Sequence, residues 1–88
     1  MLKRKIKLYR LNTILNSLNT NIIKEIEIKC VKVTDNICSI FEITIGSVVY
    51  EVGYNCSYTI NLEEFNTAVF KLLTEVKIKD NIEIIVKG

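Results

Sequence analysis

The chain has 88 residues, 49% of them apolar and 25% charged. These proportions fit one globular domain, residues 1–88, and exclude a disordered chain. No apolar run approaches the ~20 residues needed to span a bilayer, so no membrane partner is expected. A domain of this size buries only about 60–65% of its unfolded surface. The mean hydropathy of +0.25 is high for such a domain, and a partner or a second copy is expected to cover some of the apolar surface.

The net charge of +2 is unevenly spread. Lys3, Arg4, Lys5, Lys7 and Arg10 put +5 into the first ten residues, and the remainder sums to −3, from seven basic and ten acidic residues. A basic arm of this kind fits an acidic partner, nucleic acid or protein; the plainer reading is a solvated basic face. The N-terminus is basic like a signal peptide, but Asn12, Asn16 and Asn19 interrupt its apolar region. Leu8, Leu11, Leu15, Leu18 and Ile22 recur at three and four residues, which predicts a helix from about Leu8 to Asn19. Its rival is a strand over Lys3–Leu11 followed by a shorter helix, because Lys5-Ile6-Lys7-Leu8 alternates. Thr20-Asn21 is the expected break.

Three strand-like runs follow, Ile23–Val33, a central run and Val48–Tyr54. A two-residue turn at Asp35-Asn36 sets Ile26 opposite Ile45, Ile28 opposite Ile43, Cys30 opposite Phe41 and Lys29 opposite Glu42. A second turn at Gly46-Ser47 sets Ile45 opposite Val48, Ile43 opposite Tyr50 and Phe41 opposite Val52. Both turns put Phe41, Ile43 and Ile45 on one apolar face, and a one-residue slip would turn that face to solvent. The sequence therefore predicts a three-stranded antiparallel meander. The pattern breaks at Cys30-Val31: Val31 and Val33, opposite Ile40 and Cys38, make an apolar patch on the reverse face. Glu42 falls opposite Glu51, an unfavourable pair that Lys29 is expected to offset.

Residues 55–60 read as a connection. Asn61 is a suitable N-cap, Glu64 completes a near capping box, and Ile60 with Phe65 fits a hydrophobic staple. Leu62, Phe65, Val69, Leu72, Leu73 and Val76 make a continuous stripe on a helix from about Leu62 to Glu75. Lys77-Ile78-Lys79 reads as helix end and loop, and Asn81–Lys87 as a final strand. The expected architecture is α+β, a two-layer sandwich ordered helix, three-stranded antiparallel meander, helix, strand, with both helices on the Ile26/Phe41/Ile43/Tyr50 face. Burying the stripe of the second helix contributes roughly 1.5–3 kcal/mol per side chain, most of it offset by chain entropy. Val48–Tyr54 is then an edge strand with few charges, able to pair with another chain.

The inventory for catalysis is thin. Without His the commonest general base near neutral pH is missing. Cys56, between Tyr54 and Tyr58, is the best-placed nucleophile, but no His and no sequence-adjacent cation activates it. Glu63 and Glu64 read as charges complementing a helix N-terminus. Cys30, Cys38 and Cys56 match no zinc spacing, and the three glycines form no phosphate loop. No catalytic residue, metal or cofactor is therefore expected, and the chain reads as a non-enzyme. An odd cysteine count without a secretory signal points to a reducing compartment and a cytoplasmic protein. The uniform register agrees, since it puts Cys30 and Cys38 on opposite faces and so disfavours their pairing.

In element order the chain resembles double-stranded-RNA-binding domains, where lysines at the start of the second helix grip phosphates. Here that position reads Asn61-Leu62-Glu63-Glu64-Phe65, which is acidic, so the likeness stops at element order. Small size, an Ile/Lys/Asn-rich composition matching AT-rich codons, and the missing catalytic inventory are similar to accessory proteins of phages and mobile elements. Many of those inhibit a host protein, and anti-CRISPR-type inhibitors are one class. The expected function is binding to a host or neighbouring protein, acting by steric occlusion. The basic arm (Lys3, Arg4, Lys5, Lys7, Arg10) would supply charge, and Val31, Val33 and Ile40 apolar contact. The alternative is a small nucleic-acid-binding accessory protein using the basic arm. A homodimer is the further option.

Overall fold

A computed structural model describes residues 2–56 and 61–88. The elements are β1 (Leu2–Ile6), α1 (Leu8–Asn16), β2 (Glu25–Thr34), β3 (Ile37–Ile45), β4 (Val48–Gly53), a 3-10 turn (Tyr54–Cys56), α2 (Leu62–Asp80) and β5 (Glu83–Lys87). The five strands make one mixed sheet in the order β1-β4-β3-β2-β5.

The meander holds the register that its turns dictate. Ile26 faces Ile45, Ile28 faces Ile43 and Cys30 faces Phe41 across β2 and β3. Phe41 faces Val52, Ile43 faces Tyr50 and Ile45 faces Val48 across β3 and β4. Asp35 and Asn36 both have positive φ (53° and 64°), as a tight type I′ hairpin requires, and Gly46 (φ 61°) opens the second turn. Ile26, Ile28, Phe41, Ile43, Ile45 and Val52 are buried in one cluster with Leu11 and Leu15 of α1 and Phe65, Val69, Leu73 and Val76 of α2. Phe41 stacks at 5.9 Å from Phe65 and edge-on at 5.5 Å to Phe70, which ties the central strand to the long helix.

Four expectations about the elements change. The chain opens with a strand, not a helix: β1 runs parallel to β4, then α1 starts one residue after it. Both rival readings of the N-terminus were thus partly right, since an alternating segment and a helical stripe lie end to end. Because β1 covers β4, Val48–Gly53 is not an edge strand, and the true edges are β1 and β5. β5 lies parallel to β2, from Glu25↔Glu83 to Lys29↔Lys87. With a leading strand and a parallel final one, the element order of double-stranded-RNA-binding domains no longer applies. Finally, α2 continues through Val76–Asp80 and stops at Asn81 in the left-handed conformation (φ 54°). Nothing in Lys77-Ile78-Lys79 breaks a helix, and Ile78 stays 79% exposed on its outer side.

At the other end of α2 the Asn61 side chain accepts the Glu64 amide at 2.8 Å, and its amide donates to the Glu64 carboxylate at 3.1 Å. The first bond is the expected N-cap; the second ties Glu64 to the Asn61 side chain, where a full capping box would use the Asn61 backbone N–H. Ile60 and Tyr58 lie outside the described residues, and with them the staple.

Candidate interaction site on the hairpin arm

The β2–β3 hairpin has two halves. In the lower half β2 is flanked on both sides, by β3 and by β5, and Ile26 and Ile28 are fully buried. β5 stops pairing at Lys29, and every β2 residue from Lys29 to Thr34 is exposed. β3 likewise pairs with β4 only from Ile40 onward. The upper half, from Cys30 to Ser39, therefore extends beyond its neighbouring strands among the described residues as an arm.

Within the arm the ladder is uneven. Thr34 faces Ile37 and Val33 faces Cys38 as expected, but Ile40 faces Lys32 instead of Val31. An irregularity in each strand cancels the other, so the register is restored at Cys30↔Phe41. This break overturns the pairing argument for the cysteines. In a uniform ladder Cys30 and Cys38 sit three positions apart on opposite faces. In the irregular ladder Cys30 is exposed, the two Cα atoms lie 5.8 Å apart, and the cysteines are joined in a disulfide. One of the two supports for a reducing compartment, the face geometry, is thereby lost.

The arm has further fastenings. Thr34 Oγ1 donates to Ser39 Oγ at 3.1 Å, and Ser39 Oγ donates to the Lys32 carbonyl at 3.3 Å. Asn66 of α2 donates from Nδ2 to the Cys38 carbonyl at 3.2 Å, which pins the root of the arm to the helix. Sequence reasoning missed Ser39 and Asn66. Ser39 continues the buried alternation of β3, yet its polar side chain gives no apolar signal.

The predicted apolar residues divide. Val31 (41%) and Val33 (62%) are exposed on the outer arm, whereas Ile40 and Cys38 are half-buried at its root. They lie on one hairpin, with the two valines forming its accessible part.

The predicted basic residues do not form one surface. Lys3 and Lys5 lie on the sheet face bearing Glu42 and Glu51: Lys3 Nζ is 2.8 Å from Glu42 and 3.3 Å from Glu51, and Lys5 Nζ is 3.9 Å from Glu51. Lys3, supplied by β1, thus bridges the like-charged Glu42–Glu51 pair expected to be offset by Lys29. Hydrogen bonds to Glu42, then Glu51, raise the Lys3 pKa above the ordinary lysine value. Arg4 alternates to the opposite face of β1, in register with Tyr50; Lys7 precedes α1, and Arg10 is exposed on that helix.

A groove of about 470 Å³ between the helices is lined by Leu8, Tyr9, Asn12, Lys71, Leu72 and Glu75. Lys7 and Ala68 complete its lining, and Glu75 is its one carboxylate. Among the described residues no group of three Cys, Asp or Glu side chains could hold a metal ion, and no helix is long and apolar enough to cross a membrane. No protein-family model, curated protein or solved structure matches the chain.

Proposed function

We propose that the chain is a non-enzymatic binding domain that occludes a surface of another protein, in the manner of the small inhibitors carried by phages and mobile elements, the anti-CRISPR type among them. In it the domain is a two-layer sandwich with both helices on one sheet face, and the arm extends beyond β4 and β5 with its root held by Asn66 of α2. The observation that carries it is the arm: Val31 and Val33 are exposed on a strand segment with no second neighbour among the described residues, while Ile26 and Ile28 of the same strand are buried. Holding such a segment in shape costs chain entropy that its own burial does not repay. A partner that covers it supplies the missing burial.

The nucleic-acid reading is less well supported by the geometry. Phosphate tracking needs cations gathered on one face. Here Lys3 and Lys5 are occupied with Glu42 and Glu51, and Arg4, Lys7 and Arg10 diverge from them. The test is capture of partners from a host lysate on the immobilised chain, with and without nuclease. Retention of a defined protein after nuclease, lost in Val31→Glu/Val33→Glu but with the fold unchanged, is the expected result. Retention that disappears with nuclease, together with steeply salt-dependent binding to pure DNA or RNA, would replace it with the alternative.

A further inference from the structure

The arm offers a strand edge as well as two side chains. β5 shows that this edge of β2 accepts a strand, because it pairs there in parallel from Glu25 to Lys29. Beyond Lys29 that pairing does not continue, and the outer backbone groups of Cys30–Thr34 have no sheet partner among the described residues. Such a row of amides and carbonyls is a template for another strand.

Two kinds of strand could fill it, a second copy of the same edge or a segment of a different protein. Charge decides between them. Antiparallel self-pairing over the whole free window, Cys30–Thr34, is centred on Lys32. It sets Val31 against Val33 of the second copy, which is favourable, but Lys32 directly against Lys32, which is not. A one-residue shift in either direction avoids that contact only by shortening the window and setting a valine, Val31 or Val33, against Lys32. Lys32 is the feature that discriminates against this exposed edge pairing with itself. It leaves the edge open to a strand with a carboxylate opposite Lys32. Exposed Lys29 adds a second cation at the start of the window.

We infer that the free edge of β2 over Cys30–Thr34 takes up an extended acidic segment of the partner protein, with an Asp or Glu opposite Lys32 and apolar residues opposite Val31 and Val33. This inference rests on the reading of the arm as the partner-binding surface and specifies how it binds. The apolar–acidic–apolar pattern satisfies the edge in either strand direction, since it is symmetric about Lys32.

The test uses the oxidised full chain, isotope-labelled, and a short blocked peptide alternating Thr and Val around a central Val-Glu-Val. A control peptide carries Lys in place of Glu. The expected result is amide shifts confined to Lys29–Thr34 and slowed exchange of those amides on saturation. The Glu peptide should bind about three- to tenfold more tightly than the control, as an opposite-charge pair replaces a like-charge one. Lys32→Glu should invert the preference. Shifts elsewhere, equal affinities, or a concentration-dependent dimer that protects the same amides would overturn the proposal. If the peptides fail but Val31→Glu/Val33→Glu still abolishes partner retention, the arm binds through its faces and strand addition is wrong. If the substitutions also leave retention intact, the reading of the arm as the binding surface falls with it.

Discussion

The two halves of the β2–β3 hairpin keep one pairing register apart from the paired irregularity at Val31 and Ser39, and they differ in what surrounds them. In the lower half, β5, β4 and the two helices enclose Ile26, Ile28, Ile43 and Ile45, each at most 7% exposed. In the upper half the same kinds of residue, Val31 and Val33, stand in water and the chain is held by a disulfide, a hydroxyl pair and one contact from Asn66. Alternation alone therefore does not make core. It makes a face, and burial depends on whether another element reaches it. Where none of the described elements does, local cross-links hold the face in shape, and the proposed binding role rests on that contrast.

The contrast can be broken most strongly from the lower half. Ile43→Ala should cost about 2–5 kcal/mol by leaving a cavity, whereas Val33→Ala should change stability by less than about 0.5 kcal/mol; denaturant midpoints at unchanged slope would show both. Next in size, replacing Cys30 and Cys38 by serine should cost about 2–3 kcal/mol, as expected for a closed loop of this length. Hydrogen exchange should accelerate in residues 30–40 well before it does in Ile26 or Ile43, if the disulfide serves the arm. Asn61→Ala removes the cap of α2 at the opposite end from Asn81 and should cost about 1 kcal/mol, spread over the whole domain and not confined to the arm.

The smallest effect concerns the open sheet face. The raised pKa of Lys3 means that the folded state favours its charged form. Its pairing with Glu42 and Glu51 therefore contributes stability below the unfolded lysine pKa and loses it as pH rises through the higher folded value. Lys3→Met should accordingly be slightly less stable than the parent near neutral pH and low salt. The difference should close at strongly alkaline pH and in high salt, because the ammonium is half exposed.

Much of the meander was legible because two tight turns, Asp35-Asn36 and Gly46-Ser47, fix pairing by counting, and both assign Phe41, Ile43 and Ile45 to one face. The cap at Asn61 and the α2 stripe were legible for the same reason: each is local. What escaped was non-local. The parallel pairing of β1 with β4 and of β5 with β2 joins residues more than forty positions apart, and no turn between them sets a register. The first strand hid behind its own charges, since Lys3 and Lys5 read as a basic arm until Glu42 and Glu51 were brought beside them. The disulfide escaped because its geometry depends on the irregularity at Val31 and Ser39, which the uniform ladder does not contain. The candidate site was half legible: Val31 and Val33 were marked by the break in alternation, but their exposure beside a partly covered strand depends on the parallel pairing of β5 with Glu25–Lys29, which no turn announces.

The central claim is that the arm, and not the basic N-terminus, carries partner binding. The direct measurement compares two double variants, Val31→Glu/Val33→Glu and Arg4→Glu/Arg10→Glu, for retention of a nuclease-resistant lysate protein on the immobilised chain, with circular dichroism and thermal melts as the check on folding. The account predicts that the arm variant loses retention while keeping its fold, and that the N-terminal variant keeps both. Loss in the N-terminal variant with the arm variant unaffected would contradict it.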